Sequence, residues 1–207
     1  FFCHRPDKQT PMAETVWAMN HLIAQGKILY WGTSEWSAAE IMEAHMVARD
    51  NHLIGPTMEQ PQYSLVHRDK VEVEYAKLYS TVGLGTTIWS PLGSGVLTEK
   101  YLSQFPEGTR LGMEGLEWLK ERSLKPEIIE CAHKLNHIAK DLGVSLPKLA
   151  IAWCAQNPNV STVILGASKV EQLRETLTAL DVLPLLTPEV NAKIEEAVQN
   201  KPEAPAY

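Results

Sequence analysis

The sequence predicts an α/β protein built on a parallel sheet whose strands are joined by helical crossovers. Three observations carry this. Short β-branched or aromatic runs alternate with segments of helical apolar spacing, five times along the chain. Helical segments open on capping residues or proline, and several close on glycine. The downstream ends of the strand runs carry polar or aromatic side chains, where parallel α/β sheets place their sites. Two architectures fit: a doubly wound open sheet and a (β/α)8 TIM barrel. No Gly-x-Gly-x-x-Gly follows a strand run, which weakens the first. Five units cannot close an eight-stranded barrel, so the second requires roughly three βα units before Phe1. The abrupt start, Phe1-Phe-Cys-His-Arg5, already in the style of a core strand, agrees with that. The expectation is therefore one domain over residues 1–207, holding about strands four to eight of a barrel.

In order, Phe1 to Arg5 reads as a strand. Thr10 as N-cap and Pro11 at the first helical position open a helix. Met12, Val16, Met19 and Ile23 give it one apolar face, and Gly26 closes it. Ile28 to Ser34 is the next strand and loop. Ser37 and Glu40 form a capping box for a helix through Ile41, Ala44 and Ala48. Thr57 to Gln60 is a short strand. Val71, Tyr75, Leu78 and Val82 mark a helix that ends at Gly83, and Leu84 to Ser90 is a strand. Residues 91–126 form a long region rich in glycine and charge, helical within Glu114 to Arg122. Stretches of this length are usually functional or mobile. Helices follow over Glu127 to Leu142 and over Leu146 to Gln156, the second capped by Ser145. Val160 to Leu165 is a strand, Gly166 turns the chain, and Ser168 with Glu171 forms a capping box. Leu173, Leu177 and Leu180 continue at helical spacing. A last helix spans Pro188 to Gln199, and the tail from Lys201 to Tyr207 is irregular.

Bulk properties exclude several classes. The formal net charge of −6 argues against a nucleic-acid footprint, which needs a basic face. No apolar run reaches the length of a membrane span. The 3 cysteines, Cys3, Cys131 and Cys154, show neither metal spacing nor a disulfide pattern. They read as buried inert thiols in a reducing cytoplasm, and no metal site is expected.

Candidate chemistry gathers on the strand ends: His4 and Arg5, Ser34 and Glu35, Gln60, Trp89 and Ser90, Gly166 and Ser168. His4 can serve as an acid or polarise a carbonyl; the competing reading is a structural histidine. Trp89-Ser-Pro-Leu-Gly-Ser-Gly95 offers a ring for stacking and small residues that admit a ligand to the backbone; the competing reading is a core tryptophan before a proline turn. Lys100 and Arg110 could clamp a phosphate or simply be solvated. At Val160 to Glu175, a strand, a glycine turn and a helix start make a ready anion site, with Lys169 adding charge. The plainer alternative is an ordinary βα loop.

Several motifs then resemble one family. Cys3-His-Arg-Pro-Asp7, Trp31-Gly-Thr-Ser-Glu-Trp36, Glu59-Gln-Pro-Gln-Tyr63, Trp89-Ser-Pro-Leu-Gly-Ser-Gly95, Leu149-Ala-Ile-Ala-Trp153 and Leu165-Gly-Ala-Ser168 resemble an aldo-keto reductase. The branch is similar to the voltage-gated potassium channel β subunits and their plant, fungal and bacterial relatives. The resemblance covers essentially the whole chain in the right order. It implies a (β/α)8 barrel that binds NADP(H) without a Rossmann domain and reduces small aldehydes or ketones by hydride transfer.

The resemblance also implies roles. His4 matches the histidine of an Asp, Tyr, Lys, His tetrad. The other three belong to the first three units, so the chain alone carries only part of the machinery. Ser34 and Gln60 match the residues that hold the nicotinamide carboxamide, and Trp89 its wall. Ser90, Pro91, Leu92, Gly93 and Ser94, with Lys100, match the loop over the pyrophosphate, and Arg110 an arginine near the adenosine. Gly166, Ser168, Gln172, Glu175 and Thr176 match the adenosine and 2′-phosphate site. Two departures stand out: Glu35 replaces an arginine of the channel subunits, and Thr176 an asparagine on the adenine. A channel α subunit and a second copy of the chain are the protein partners the branch brings in. His4, where animal channel subunits carry asparagine, favours a working reductase over a purely regulatory subunit.

Overall fold

A computed structural model describes residues 1–102 and 108–203, without the side chain of Arg110. The expectation for the tail from Ala204 to Tyr207 lies outside the described residues. The sheet has five strands in sequence order. They are β1 (Phe2–Cys3), β2 (Gly32–Thr33), β3 (Met58–Glu59), β4 (Gly85–Ile88) and β5 (Thr162–Val163). Every pairing is parallel. This is the arrangement of part of an α/β barrel, with β1 and β5 at the two sheet edges.

Regular pairing is shorter than the apolar runs suggest. At the start of the second run, Leu29 is 79% and Tyr30 62% exposed. Past the paired residues, the chain turns out to the rim. Single bonds still extend the ladder there: Ser34 N–H donates to the Cys3 carbonyl at 3.1 Å, and Gln60 N–H to that of Thr33 at 2.8 Å.

Helices cover one side of the sheet. α1 (Met12–Ala24) buries Val16 and Met19, as the spacing predicts. Its N-cap is Pro11, not Thr10. Asp7 has captured the Thr10 hydroxyl at 2.7 Å and the Gln9 amide at 2.9 Å, forming a turn that takes Thr10 away from the helix. α2 (Ala38–Asp50) has the expected capping box. The expected single helix around Tyr75 is instead a π turn, Lys70–Glu74, followed by α3 (Ala76–Thr81). The wide turn lets Tyr75 donate its hydroxyl to the Trp36 carbonyl at 2.5 Å and Lys70 its amine to that of Glu35 at 2.9 Å. π turns of this kind concentrate near functional sites.

The remaining helices are α4 (Glu117–Ser123), α5 (Pro126–Asp141), α6 (Leu146–Gln156), α7 (Val170–Leu177) and α8 (Pro188–Val198). A 3-10 stretch, Thr178–Leu185, joins the last two. Ser145 stands at the N-cap of α6 without capping it; its hydroxyl donates to Glu175 at 2.7 Å. The expected Ser168–Glu171 box at α7 is also replaced. Lys169 is the N-cap, and the Gln172 side chain reaches back over the preceding turn.

Two apolar cores hold the layers together. One packs α1, α2 and α3 on Trp31, with Ile41, Ala44 and Tyr75. The other packs α5, α6 and α8 on Tyr63, Ile88 and Leu97. Arg68, only 4% exposed, ties the C-terminal end to the second core. Its guanidinium pairs with Glu72 at 2.9 Å and Glu195 at 2.7 Å and lies 5.1 Å over the Trp153 ring. All three cysteines are free. Burial pushes the Cys131 thiol up to about 11 and raises that of Cys154, which makes both unreactive. Cys3 differs from the expectation in being only half-buried.

Candidate functional site

The parallel ladder sends each strand's downstream end to the same edge of the sheet, and hydrogen bonds join those ends. At β1, His4 is exposed, and Arg5 folds its guanidinium onto the His4 carbonyl at 2.7 Å. The same nitrogen reaches the hydroxyl of Ser34, past β2, at 3.1 Å. Ser34 is buried and donates to the Gln60 carbonyl, past β3, at 2.9 Å. The Gln60 side-chain amide makes no bond among the described residues. Glu35 accepts the Gln62 amide at 2.5 Å and the indole N–H of Trp89, past β4, at 3.1 Å. His4, Ser34, Gln60 and Trp89 thus share one continuous rim, reached through Arg5 and Glu35.

The loop after Trp89 has an unusual backbone. Ser90, Gly93, Ser94 and Gly95 all adopt positive φ. Pro91 is buried and Leu92 packs against the core, anchoring the loop. The Ser90 hydroxyl accepts the Ser94 amide at 3.0 Å. Gly93 has a strict steric reason: a Cβ there would come within 3.0 Å of Val66 and Val96. Lys100 is exposed and extends its ammonium over the Tyr101 ring, 4.9 Å from the centroid. Arg110 opens the short turn Arg110–Gly112; its side chain lies outside those described.

A second group sits past β5. Gly166 has open space where a Cβ would stand. At the start of α7 the Ser168 amide, the Ser168 hydroxyl and the Lys169 amide all donate to Oε1 of Gln172, at 3.0, 3.1 and 3.3 Å. Three donors converging on one oxygen form a cradle suited to an anionic oxygen. Glu175 is held by Ser145, and Thr176 is buried with its hydroxyl donating to the Gln172 carbonyl at 2.9 Å. No hydrogen bond joins this group to the Trp89 rim among the described residues. A cavity of about 330 Å³ lined by Asp7, Lys8, Trp36, Glu40 and Glu43 lies beside the rim. Its carboxylates disfavour an anion.

Sequence reasoning missed one group in this region. Glu59 is fully buried beneath the rim and bonded to the Thr33 hydroxyl. Burial, opposed by that hydroxyl, pushes its carboxyl up to about 7. The motif Glu59-Gln60 contains it, but only the sheet register, which sets Thr33 beside it, reveals the contact. Among the described residues, no group of three histidine, cysteine or carboxylate side chains could hold a metal ion.

Comparison with known proteins agrees with this geometry. A rice protein (Oryza sativa subsp. japonica) described as a probable voltage-gated potassium channel subunit beta is 56% identical over 202 residues, covering 97% of this chain and 62% of its own length. A protein of the same description from Arabidopsis thaliana is 51% identical over 205 residues, covering 99% of this chain and 62% of its own length. The chain therefore spans just over three fifths of these relatives. The sequence pattern of the Aldo/keto reductase family runs through residues 1–199. With that pattern along nearly its whole length and a parallel sheet whose polar rim lies at the strand ends, the chain belongs to the Aldo/keto reductase family.

Proposed function

We propose that residues 1–207 are the C-terminal part of a single barrel domain, and that the whole protein is an NADPH-dependent reductase of small aldehydes or ketones. The observation that carries this is the pair of groups on one strand-end edge: a bonded rim from His4 to Trp89 and a three-donor cradle at Ser168. Ser34 and Gln60 hold the carboxamide of the nicotinamide, and Trp89 forms its wall. Ser90 to Ser94, with Lys100, cover the pyrophosphate, and Arg110 belongs near the adenosine. Gly166, Ser168, Gln172, Glu175 and Thr176 form the adenosine end, where the 2′-phosphate takes the donors that Gln172 now occupies. When bound, the nicotinamide supplies the hydride. His4 orients the substrate carbonyl, and the proton donor comes from the units that precede Phe1. In the whole protein, His4→Ala should lower NADPH oxidation with a small aldehyde by about 10²-fold or more. Unchanged turnover in a steady-state absorbance assay would remove His4 from the mechanism.

A second reading is supported by the descriptions of the two plant relatives. In it the protein is a cytoplasmic subunit of a potassium channel that binds the cofactor. Co-purification with a channel α subunit separates this reading from a free enzyme. Among the described residues no helix is long and apolar enough to cross a membrane.

A further inference from the structure

We infer that Glu35 is a positioning residue that sets the orientation of the Trp89 ring and locks three neighbouring strand ends into one rigid rim. Its backbone lies at φ 61°, a conformation that a residue with a side chain adopts at a cost. The surroundings hold it there. Lys70, on the π turn, donates its amine to the Glu35 carbonyl at 2.9 Å and pairs with carboxylate Oε2 at 3.2 Å. The other oxygen, Oε1, accepts both the Gln62 amide and the Trp89 indole N–H. One side chain therefore joins the exits of β2, β3 and β4 and is neutralised by a fourth element.

The Trp89 backbone is fixed independently. Its amide donates to the Pro61 carbonyl at 3.0 Å, and its own carbonyl accepts the Tyr63 amide at 3.3 Å. Those bonds fix where the side chain starts but not how the indole plane turns. Among the described residues, the bond from Nε1 to Glu35 is the hydrogen bond that the Trp89 side chain makes, and it fixes the direction of the indole edge. A half-buried carboxylate is a strong acceptor, and bonds to charged groups contribute more than neutral ones. The strained backbone places the carboxylate between the two donors, and the ring is thereby oriented before any ligand arrives. Preorganisation of this kind raises affinity by reducing the ordering left to binding.

The inference rests on the proposed cofactor site, and the test separates the two. Glu35→Gln keeps an acceptor oxygen; Glu35→Met has nearly the same size and none. In the whole protein, E35Q should bind NADPH within about threefold of wild type, and E35M about tenfold more weakly, the loss expected for one charge-assisted bond. In a Trp89→Phe background, which removes the indole N–H but leaves the Gln62 and Lys70 contacts, E35M should cause a clearly smaller loss than it does alone. A purely structural role would instead give additive losses. Independently of cofactor, the Trp89 indole proton, assigned in ¹⁵N spectra by its absence from W89F, should exchange slowly in wild type and E35Q and fast in E35M. Equal NADPH affinity in E35M and wild type, or equal exchange rates, overturns the inference. Should E35M fail to fold, W89F carries the test, and its unchanged affinity overturns it. A wild-type protein that does not bind NADPH overturns the cofactor reading but leaves the exchange comparison decisive for Glu35.

Discussion

Glu59 is a carboxyl group with no solvent exposure that accepts a hydrogen bond from the Thr33 hydroxyl. Its other oxygen has no partner among the described residues. Burial pushes its carboxyl up to about 7 from an ordinary value of 4.5; the Thr33 hydroxyl, the Glu35 backbone amide and the Lys70 charge draw it down, and the Glu35 charge adds to the rise. The folded chain therefore holds this proton more tightly than the unfolded one. The stability Glu59 contributes is fully present below 4.5 and is lost as pH rises through about 7, an amplitude on the order of 3 kcal/mol. Glu59→Gln keeps the acceptor for Thr33 and removes the titration. Urea unfolding at pH 5 and pH 8 should show a smaller pH difference in the variant than in the wild type. Equal differences would mean that the proton is held elsewhere.

Among the elements, β2 and β3 show how register and composition fit together. Gly32 stands opposite Met58, and Met58 opposite Gly85, so a long side chain lies between two residues that have none. A Cβ on Gly32 would collide with the Met58 carbonyl and come within 2.6 Å of its side chain. Gly32→Ala must push the two strands apart or turn Met58 out, which should cost about 1–3 kcal/mol. A thermal melt or urea midpoint identical to wild type would show that the strands have room to give. The element pattern itself was readable in the sequence: the strand–helix alternation, the Ser37–Glu40 box and the buried faces of α1 and α2 all stand where spacing put them. What was not readable depended on partners distant in sequence. Thr10 looks like a cap until Asp7 takes its hydroxyl, and Ser145 until Glu175 does. The residues proposed for the rim could be named one by one. Their linkage through Arg5 and Glu35, and the buried carboxyl beneath, needed the register of the sheet.

At the scale of the whole molecule, among the described residues the sheet has two open edges, and apolar side chains stand uncovered near both. Phe1, Leu29 and Tyr30 lie at the β1–β2 side, all more than half exposed. On the β5 side, Leu173 and Leu177 stand one turn apart on α7, 42% and 60% exposed, with Val170 and Leu180 beside them. Spacing marks these leucines as an inward face, yet nothing among the described residues covers it. An apolar flank next to an unpaired strand edge favours pairing with another chain. Residues 1–207 produced alone should therefore self-associate in the micromolar range and bind a hydrophobic dye such as ANS. Replacing Leu173, Leu177 and Leu180 together by glutamate should shift the weight-average mass in sedimentation velocity toward the monomer and lower dye binding, while leaving the α5–α6–α8 core untouched. The net charge of −6 becomes more negative with the same three changes, so the experiment needs 0.5 M salt, at which the Debye length falls to about 4 Å. If the difference between wild type and variant persists there, burial rather than repulsion drives the association. If it vanishes, or if the wild-type chain is monomeric at all concentrations, the α7 flank is not an association surface.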